Sequence, residues 1–255
     1  MDDPARGLNL LREYVQAFVL RSLHECEAFT TVAFVGGTAL RFLHQLPRFS
    51  EDLDFSLVDR RAYEPQRWLT KVRRDLTLAG FECSVTFNKK RTVNVSWVRI
   101  AGLLAPAGLA ARKEHKLSIK LEIDTRPPAG ALVERTVLVR HLTFALRHHS
   151  IDSLMAGKLH ALITRRYPKG RDWFDLVWYR ARRPPVEPRI ALLQNALDQT
   201  QGAGRIDARR WRHLVRDRLA RLDTDRLTRD VHPFLERPED RLLLDRRNIA
   251  SILRD

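Results

Sequence analysis

The segment that most constrains this chain is residues 34–57, FVGGTALRFLHQLPRFSEDLDFSL. A short apolar run ending at Val35 gives way to two glycines and a threonine. A helix-compatible stretch from Thr38 to Leu46 follows, and Pro47 stops it. Beyond the proline, Asp52-Leu53-Asp54-Phe55 alternates acid with large apolar side chain. A strand sets residues i and i+2 on one face, about 6.5–7 Å apart. Asp52 and Asp54 therefore point together from a strand whose other face is apolar. Paired acids on a rigid strand suit a divalent cation held against a nucleoside triphosphate. Gly36-Gly37-Thr38 stands at the preceding strand-to-helix junction. Glycine lets backbone approach a ligand closely, a helix N-terminus offers free N–H groups to a phosphate, and Thr38 adds a hydroxyl. No G-x-x-x-x-G-K-[ST] phosphate loop occurs in the chain.

Two later segments carry compatible chemistry. In Lys120-Leu121-Glu122-Ile123-Asp124, alternation puts Lys120, Glu122 and Asp124 on one face and Leu121 and Ile123 on the other. Laid beside the Asp52–Asp54 strand, this one brings Asp124 next to the acid pair. Three clustered carboxylates repel one another unless a divalent cation joins them. Further on, Lys158, Ala161 and Arg165 share a helical face, and Pro168 and Gly170 break the chain. Asp172 and Asp175 then share a face of the next helix. Arginine and lysine set beside acids suit a triphosphate or the support of a metal site.

Hydrophobic periodicity divides the chain at about residue 150. Before it, helices are expected over 8–27, 38–46 and 64–79, and strands over 31–36, 52–58, 81–87, 92–100, 116–125 and 133–139. Residues 101–115, rich in Gly, Ala and Pro, predict a flexible surface loop. After it, the pattern predicts helices over 150–166, 171–182, 187–200, 208–222 and 226–235, with Leu242-Leu243-Leu244 as one short strand. The expectation is an α/β domain over 1–150 and a mostly helical part over 151–255 that completes the active site and binds RNA.

Composition narrows the partners. Lysine and arginine number 46 against 31 acids, a formal net charge of +15. A bias of arginine over lysine does not create such an excess, and an excess of this sign favours a polyanion, nucleic acid first. The two cysteines, Cys26 and Cys83, exclude a disulfide framework and a cysteine zinc site. No stretch approaches the roughly 18 apolar residues of a membrane span. The N-terminus opens acidic, unlike a signal peptide, so a cytoplasmic protein is expected. The nine histidines show no metal-ligand spacing, and no nucleophile–base arrangement stands out.

Taken in order, these pieces resemble the AbiEii-type nucleotidyltransferases, toxins of type IV toxin–antitoxin and phage-abortive systems that include the mycobacterial MenT toxins. They belong to the DNA-polymerase-β-like superfamily. Gly36-Gly37-Thr38 is similar to the family's G-[GS]-[ST] motif, and Arg48-x-Ser50-x-Asp52-x-Asp54-Phe55 to its R-x-S-x-D-x-D-F signature. Lys120-x-Glu122-Ile123 is similar to its second motif. Lys158 through Arg171-Asp172-x-x-Asp175-Leu176 is similar to its third. The resemblance covers about residues 34–178 and no motif beyond about 180.

The resemblance implies a fold and a reaction. The fold would be a nucleotidyltransferase core, a mixed sheet flanked by helices. The reaction would be a metal-dependent transfer of NMP from an NTP to the 3′ end of tRNA, which blocks aminoacylation and growth. It implies Mg²⁺ or Mn²⁺ held by Asp52 and Asp54, with Asp124 and Asp175 competing for the place of a third carboxylate. Lys158 and Asp175 would complete the catalytic set. Gly36, Gly37, Thr38, Arg48, Ser50, Lys120 and Arg171 would line the nucleotide site. It also implies a cognate antitoxin, which could act by phosphorylating Thr38 or Ser50, since a phosphate there puts negative charge where substrate phosphates gather. Catalysis would rest on positioning and electrostatics, with no side-chain nucleophile. Two other readings stay open: transfer to a protein or small molecule, and a non-catalytic nucleotide- or RNA-binding module.

Overall fold

The computed structural model describes residues 4–89, 92–109 and 115–254. The chain divides into two compact units. The first holds the residues up to Gln45, Phe49–Pro127 and Val133–His148; the second holds Leu46–Arg48, Pro128–Leu132 and the chain from His149 onward.

The first unit is built on a mixed seven-stranded sheet. Its strands are β1 (Val32–Val35), β2 (Leu53–Leu57), β3 (Cys83–Asn88), β4 (Val93–Ile100), β5 (Leu117–Asp124), β6 (Val133–Arg140) and β7 (Leu142–His149), in the order β3-β4-β5-β2-β1-β7-β6. At its centre β2 pairs antiparallel with β1 and parallel with β5. Helices α1 (Pro4–Glu25), α2 (Gly36–His44) and α3 (Pro65–Leu78) accompany it. Leu23 of α1 and Trp68 and Leu69 of α3 line one small cavity with Phe55, Leu121 and Ile123. The apolar, odd-numbered residues of β2 and β5 therefore face these helices. The even-numbered residues, Asp54, Lys120, Glu122 and Asp124, occupy the opposite face, as alternation requires. Each large apolar side chain buried in this way contributes roughly 1.5–3 kcal/mol.

The second unit is helical: α4 (Ile151–Thr164), α5 (Gly170–Ala181), α6 (Ile190–Gln201), α7 (Trp211–Ala220), α8 (Thr224–Val231) and α9 (Arg246–Ile252). Leu159, Trp173, Tyr179, Leu193, Trp211 and Val215 form its buried centre. Side-chain caps start the later helices. Asp223 accepts the N–H groups of Asp225 and Arg226 at α8, and Asp245 accepts that of Arg247 at α9. No helix among the described residues is long and apolar enough to cross a membrane.

Three elements differ from the sequence expectation. Strand β7 was not anticipated, because its inward positions are Phe144, Leu146 and a histidine, His148. Burial of that imidazole is compensated by a hydrogen bond between Nε2 and Thr136 Oγ1 at 2.8 Å. The triple leucine expected as a strand lies in a 3₁₀ segment, Pro238–Leu244, and of the three leucines only Leu244 is buried. A three-residue run has no neighbouring strand to pair with in a helical unit, and Pro238 presets a helical start. Helix α9 also escaped the periodicity, its apolar stripe being one turn long. The expected loop over 101–115 lies partly outside the described residues, at 110–114.

Candidate active site

The acid pair sits on backbone braced from several sides. Strand β1 ends at Val35, opposite Asp54 in the antiparallel register. The next residue, Gly36, has φ +80°, a left-handed conformation that glycine adopts without cost. A Cβ at Gly36 would fall 2.1 Å from Asp54 Oδ2. Glycine is thus required twice, by its own dihedral and by the carboxylate seated against it. Gly37 and Thr38 form the first turn of α2. Thr38 is fully buried, and its hydroxyl donates to the backbone carbonyl of Asp52 at 2.5 Å. From α1, Gln16 Nε2 donates to the carbonyls of Ser50 and Glu51 at 3.1 and 2.9 Å. The backbone leading into Asp52 is therefore fastened from two helices. Thr38 belongs to that framework, with its hydroxyl turned to protein and away from solvent. Ser50 is half-buried.

The parallel β2–β5 register decides which acids are neighbours. Asp54 pairs with Glu122, and Asp124 pairs with Ser56, two residues further along. Glu122, quoted in the motif but absent from the expected site, is thus the carboxylate directly across from Asp54. Lys120 Nζ contacts Glu122 Oε1 at 2.7 Å. Burial alone would lower the Lys120 pKa, but Glu122, Asp52 and Asp54 together raise it. Asp124 accepts the N–H of Arg126 at 2.9 Å, and burial pushes its carboxyl above the ordinary range.

Among the described residues no set of three or more His, Cys, Asp or Glu is arranged as a closed metal cage. The donor chemistry nevertheless fits Mg²⁺. That ion takes hard oxygen ligands and is commonly bound by one or two carboxylates plus substrate phosphates. Asp52, on the braced segment leading into β2, and Asp54, on β2 itself, supply that open set.

In the second unit a chain of alternating charges is buried. Arg48, on the segment bridged antiparallel to Leu235, is fully buried and grips Asp175 with two parallel bonds, Nε to Oδ1 and Nη2 to Oδ2, both 2.6 Å. Helix α4 brings Lys158 Nζ to 2.9 Å from Asp175 Oδ2 and 3.1 Å from Asp172 Oδ1. Arg165 holds the other oxygen of Asp172. Burial pulls the Lys158 pKa down, but Asp175 and Asp172 more than offset it, so the ammonium stays charged. Burial likewise raises Asp172, and Lys158 and Arg165 outweigh it, lowering its pKa. The i, i+3 spacing on α5 explains why Asp172 and Asp175 reach the same lysine.

This network gives two expected site residues different surroundings from those the sequence suggested. Arg48 was expected to line a nucleotide site, and its guanidinium is paired with Asp175. Asp175 was expected in the catalytic set, and it is wholly buried beneath Arg48 and Lys158. Arg171 stacks its guanidinium over Phe234, 4.3 Å from the ring centre. Gly170, just before it, has no room for a side chain: a Cβ there would meet the Leu227 carbonyl oxygen at 1.9 Å.

A mixed sheet with a glycine-led helix after β1 and an i, i+2 acid pair at the start of β2, Asp52 just before it and Asp54 on it, defines a nucleotidyltransferase-type protein. The family described as "Nucleotidyl transferase AbiEii toxin, Type IV TA system" matches residues 19–247, and the chain belongs to that family. Membership implies a cognate antitoxin. No curated protein matches the sequence. Two solved structures share the fold. A candidate nucleotidyltransferase from H. pylori is 21% identical with a TM-score of 0.57, covering 96% of this chain and 95% of its own. JHP933 from Helicobacter pylori is also 21% identical with a TM-score of 0.52, covering 96% of this chain and 93% of its own.

Proposed function

We propose that this toxin-family nucleotidyltransferase transfers NMP from an NTP to the 3′ end of tRNA, in the cytoplasm, and so blocks aminoacylation and growth. The observation that carries the proposal is the Asp52–Asp54 pair, one member seated on Gly36 and the other fixed through its backbone by Thr38. Asp52 and Asp54 would hold Mg²⁺ or Mn²⁺, which when bound neutralises charge on the triphosphate. The start of α2, Gly36 and Gly37 included, presents backbone N–H groups to phosphate. Lys158, in the second unit, carries a charged ammonium of the kind that suits a phosphate. Asp175 and Asp172 act as positioning residues that keep that ammonium charged, and Arg48 holds Asp175 in place. Lys120 balances Glu122 next to the acid pair, so the sheet face does not carry unrelieved negative charge. A terminal RNA hydroxyl attacks the α-phosphate in line and pyrophosphate leaves. Positioning and electrostatics carry the rate.

The net charge of +15 supports a polynucleotide acceptor over a protein or small molecule. The test is incubation with each NTP labelled at the α-phosphate, Mg²⁺ or Mn²⁺, and total RNA or lysate. Label in tRNA supports the proposal; label in protein alone overturns the acceptor.

A further inference from the structure

A second cavity in the first unit, of about 690 Å³, lies past the C-terminal ends of β2 and β5. Leu57, the last residue of β2, lines it, about 10 Å along the strand from Asp54. Thr125 and Arg126, just past the end of β5, form another wall. None of the residues assigned to nucleotide transfer takes part. Its volume lies in the range of small-ligand sites, about 300–1,000 Å³.

The walls combine positive charge with fixed aromatic surface. Arg60, Arg67, Lys89 and Arg126 line the cavity against one acid, Glu64, which is itself paired with Arg67 at 3.0 Å. Arg60 is anchored by a bond from Nη2 to the Thr125 carbonyl at 2.6 Å, so its charge stays at the cavity. Tyr63 stands edge-on to buried Trp68, with ring centres 5.5 Å apart. Its hydroxyl accepts from the side-chain amide of buried Asn94 at 2.8 Å. Phe87, partly exposed, supplies a second ring. Bases stack on such rings when unpaired, and arginines take the adjoining phosphates. A duplex has its bases stacked inside and its phosphates spread along a flat track, which suits a concave aromatic pocket poorly.

We propose that this cavity is a second nucleotide site. It takes one unpaired nucleotide of a single-stranded RNA, with phosphate against Arg60 and Arg126 and the base against Phe87 or Tyr63. Its purpose, holding an acceptor strand away from the transfer site, rests on the RNA-acceptor reading; its binding chemistry does not.

The test is fluorescence anisotropy of a fluorescein-labelled single-stranded oligoribonucleotide on the full chain at fixed salt, with thermal unfolding as a fold check. Arg60→Glu with Arg126→Glu is expected to weaken binding about tenfold or more, and the exposed Lys89→Glu to weaken it in the same direction. Phe87→Ala is expected to weaken RNA binding about tenfold while leaving displacement by tripolyphosphate unchanged. Asp52→Asn is expected to lose transfer yet keep oligonucleotide binding, which separates this site from the catalytic proposal. Wild-type affinity in the folded charge-reversal variants would overturn it. So would displacement by free AMP as effective as by the oligonucleotide, or equal affinity for duplex RNA.

Discussion

The side chain of Asp54 occupies the space that a Cβ at Gly36 would need, 2.1 Å from its Oδ2. Glycine and carboxylate, 18 positions apart in sequence, are thus one structural unit. Gly36→Ala is expected to push Asp54 off its position and add roughly 1–2 kcal/mol of left-handed strain. Nucleotide incorporation should fall at least about a hundredfold, as follows when reacting groups move by an ångström. Labelled-NTP incorporation measured with thermal unfolding separates the two effects; a folded Gly36→Ala protein with normal turnover contradicts the relationship.

Asp175 is held by Arg48 and Lys158 out of contact with water. Removing one partner of such a buried pair costs about 3–5 kcal/mol, whereas replacing both by apolar groups of similar size is far less damaging. Arg48→Met should therefore destabilise strongly, and Arg48→Met combined with Asp175→Leu should recover much of the loss. Urea unfolding of the three proteins checks this; additive losses would show that the pair is not coupled.

Glu13 is buried on α1, where Oε2 meets Arg41 at 2.7 Å and Oε1 meets both Arg140 and His141 at 2.8 Å. Burial raises its pKa, but Arg41, His141 and Arg140 more than offset that, so the folded value lies below the ordinary 4.5. Below that value the unfolded chain binds the proton first. The stabilisation is therefore complete above about pH 4.5 and is lost as pH falls through the lowered folded value. Comparing urea midpoints of the wild type and Glu13→Gln across acid pH should show a gap that narrows on acidification. A gap constant with pH contradicts the assignment.

If an antitoxin silences the protein by phosphorylating it at this site, Ser50 is the hydroxyl within reach. Thr38 is fully buried with its hydroxyl given to the Asp52 carbonyl, while Ser50 is half-buried two residues before Asp52. Protein recovered from cells that also make the antitoxin should carry one phosphate on Ser50, and Ser50→Ala should escape silencing. Inactive, phosphate-free protein would rule the switch out.

Part of the first unit was legible because two of its strands, β3 and β5, follow a strict period of two. Leu117–Asp124 alternates buried and half-buried along its whole length, so the face shared by Lys120, Glu122 and Asp124 could be read directly. Register was not legible, since nothing in either strand says that Asp54 faces Glu122 while Asp124 faces Ser56. Gln16 was missed for a related reason: one glutamine within a helix gives no sign that it will reach carbonyls 34 and 35 residues away. The Asp172 and Asp175 spacing pointed to a shared face. Their burial did not show, because the arginine that closes over Asp175 is 127 residues distant.

The central claim is tested by the fate of NTP labelled at the α-phosphate when wild-type protein and Asp52→Ala are each given Mg²⁺ and total RNA. The account predicts that the wild type places label on the 3′ end of tRNA, and that folded Asp52→Ala places none. Equal labelling by Asp52→Ala, or no label in RNA with the wild type, would contradict it.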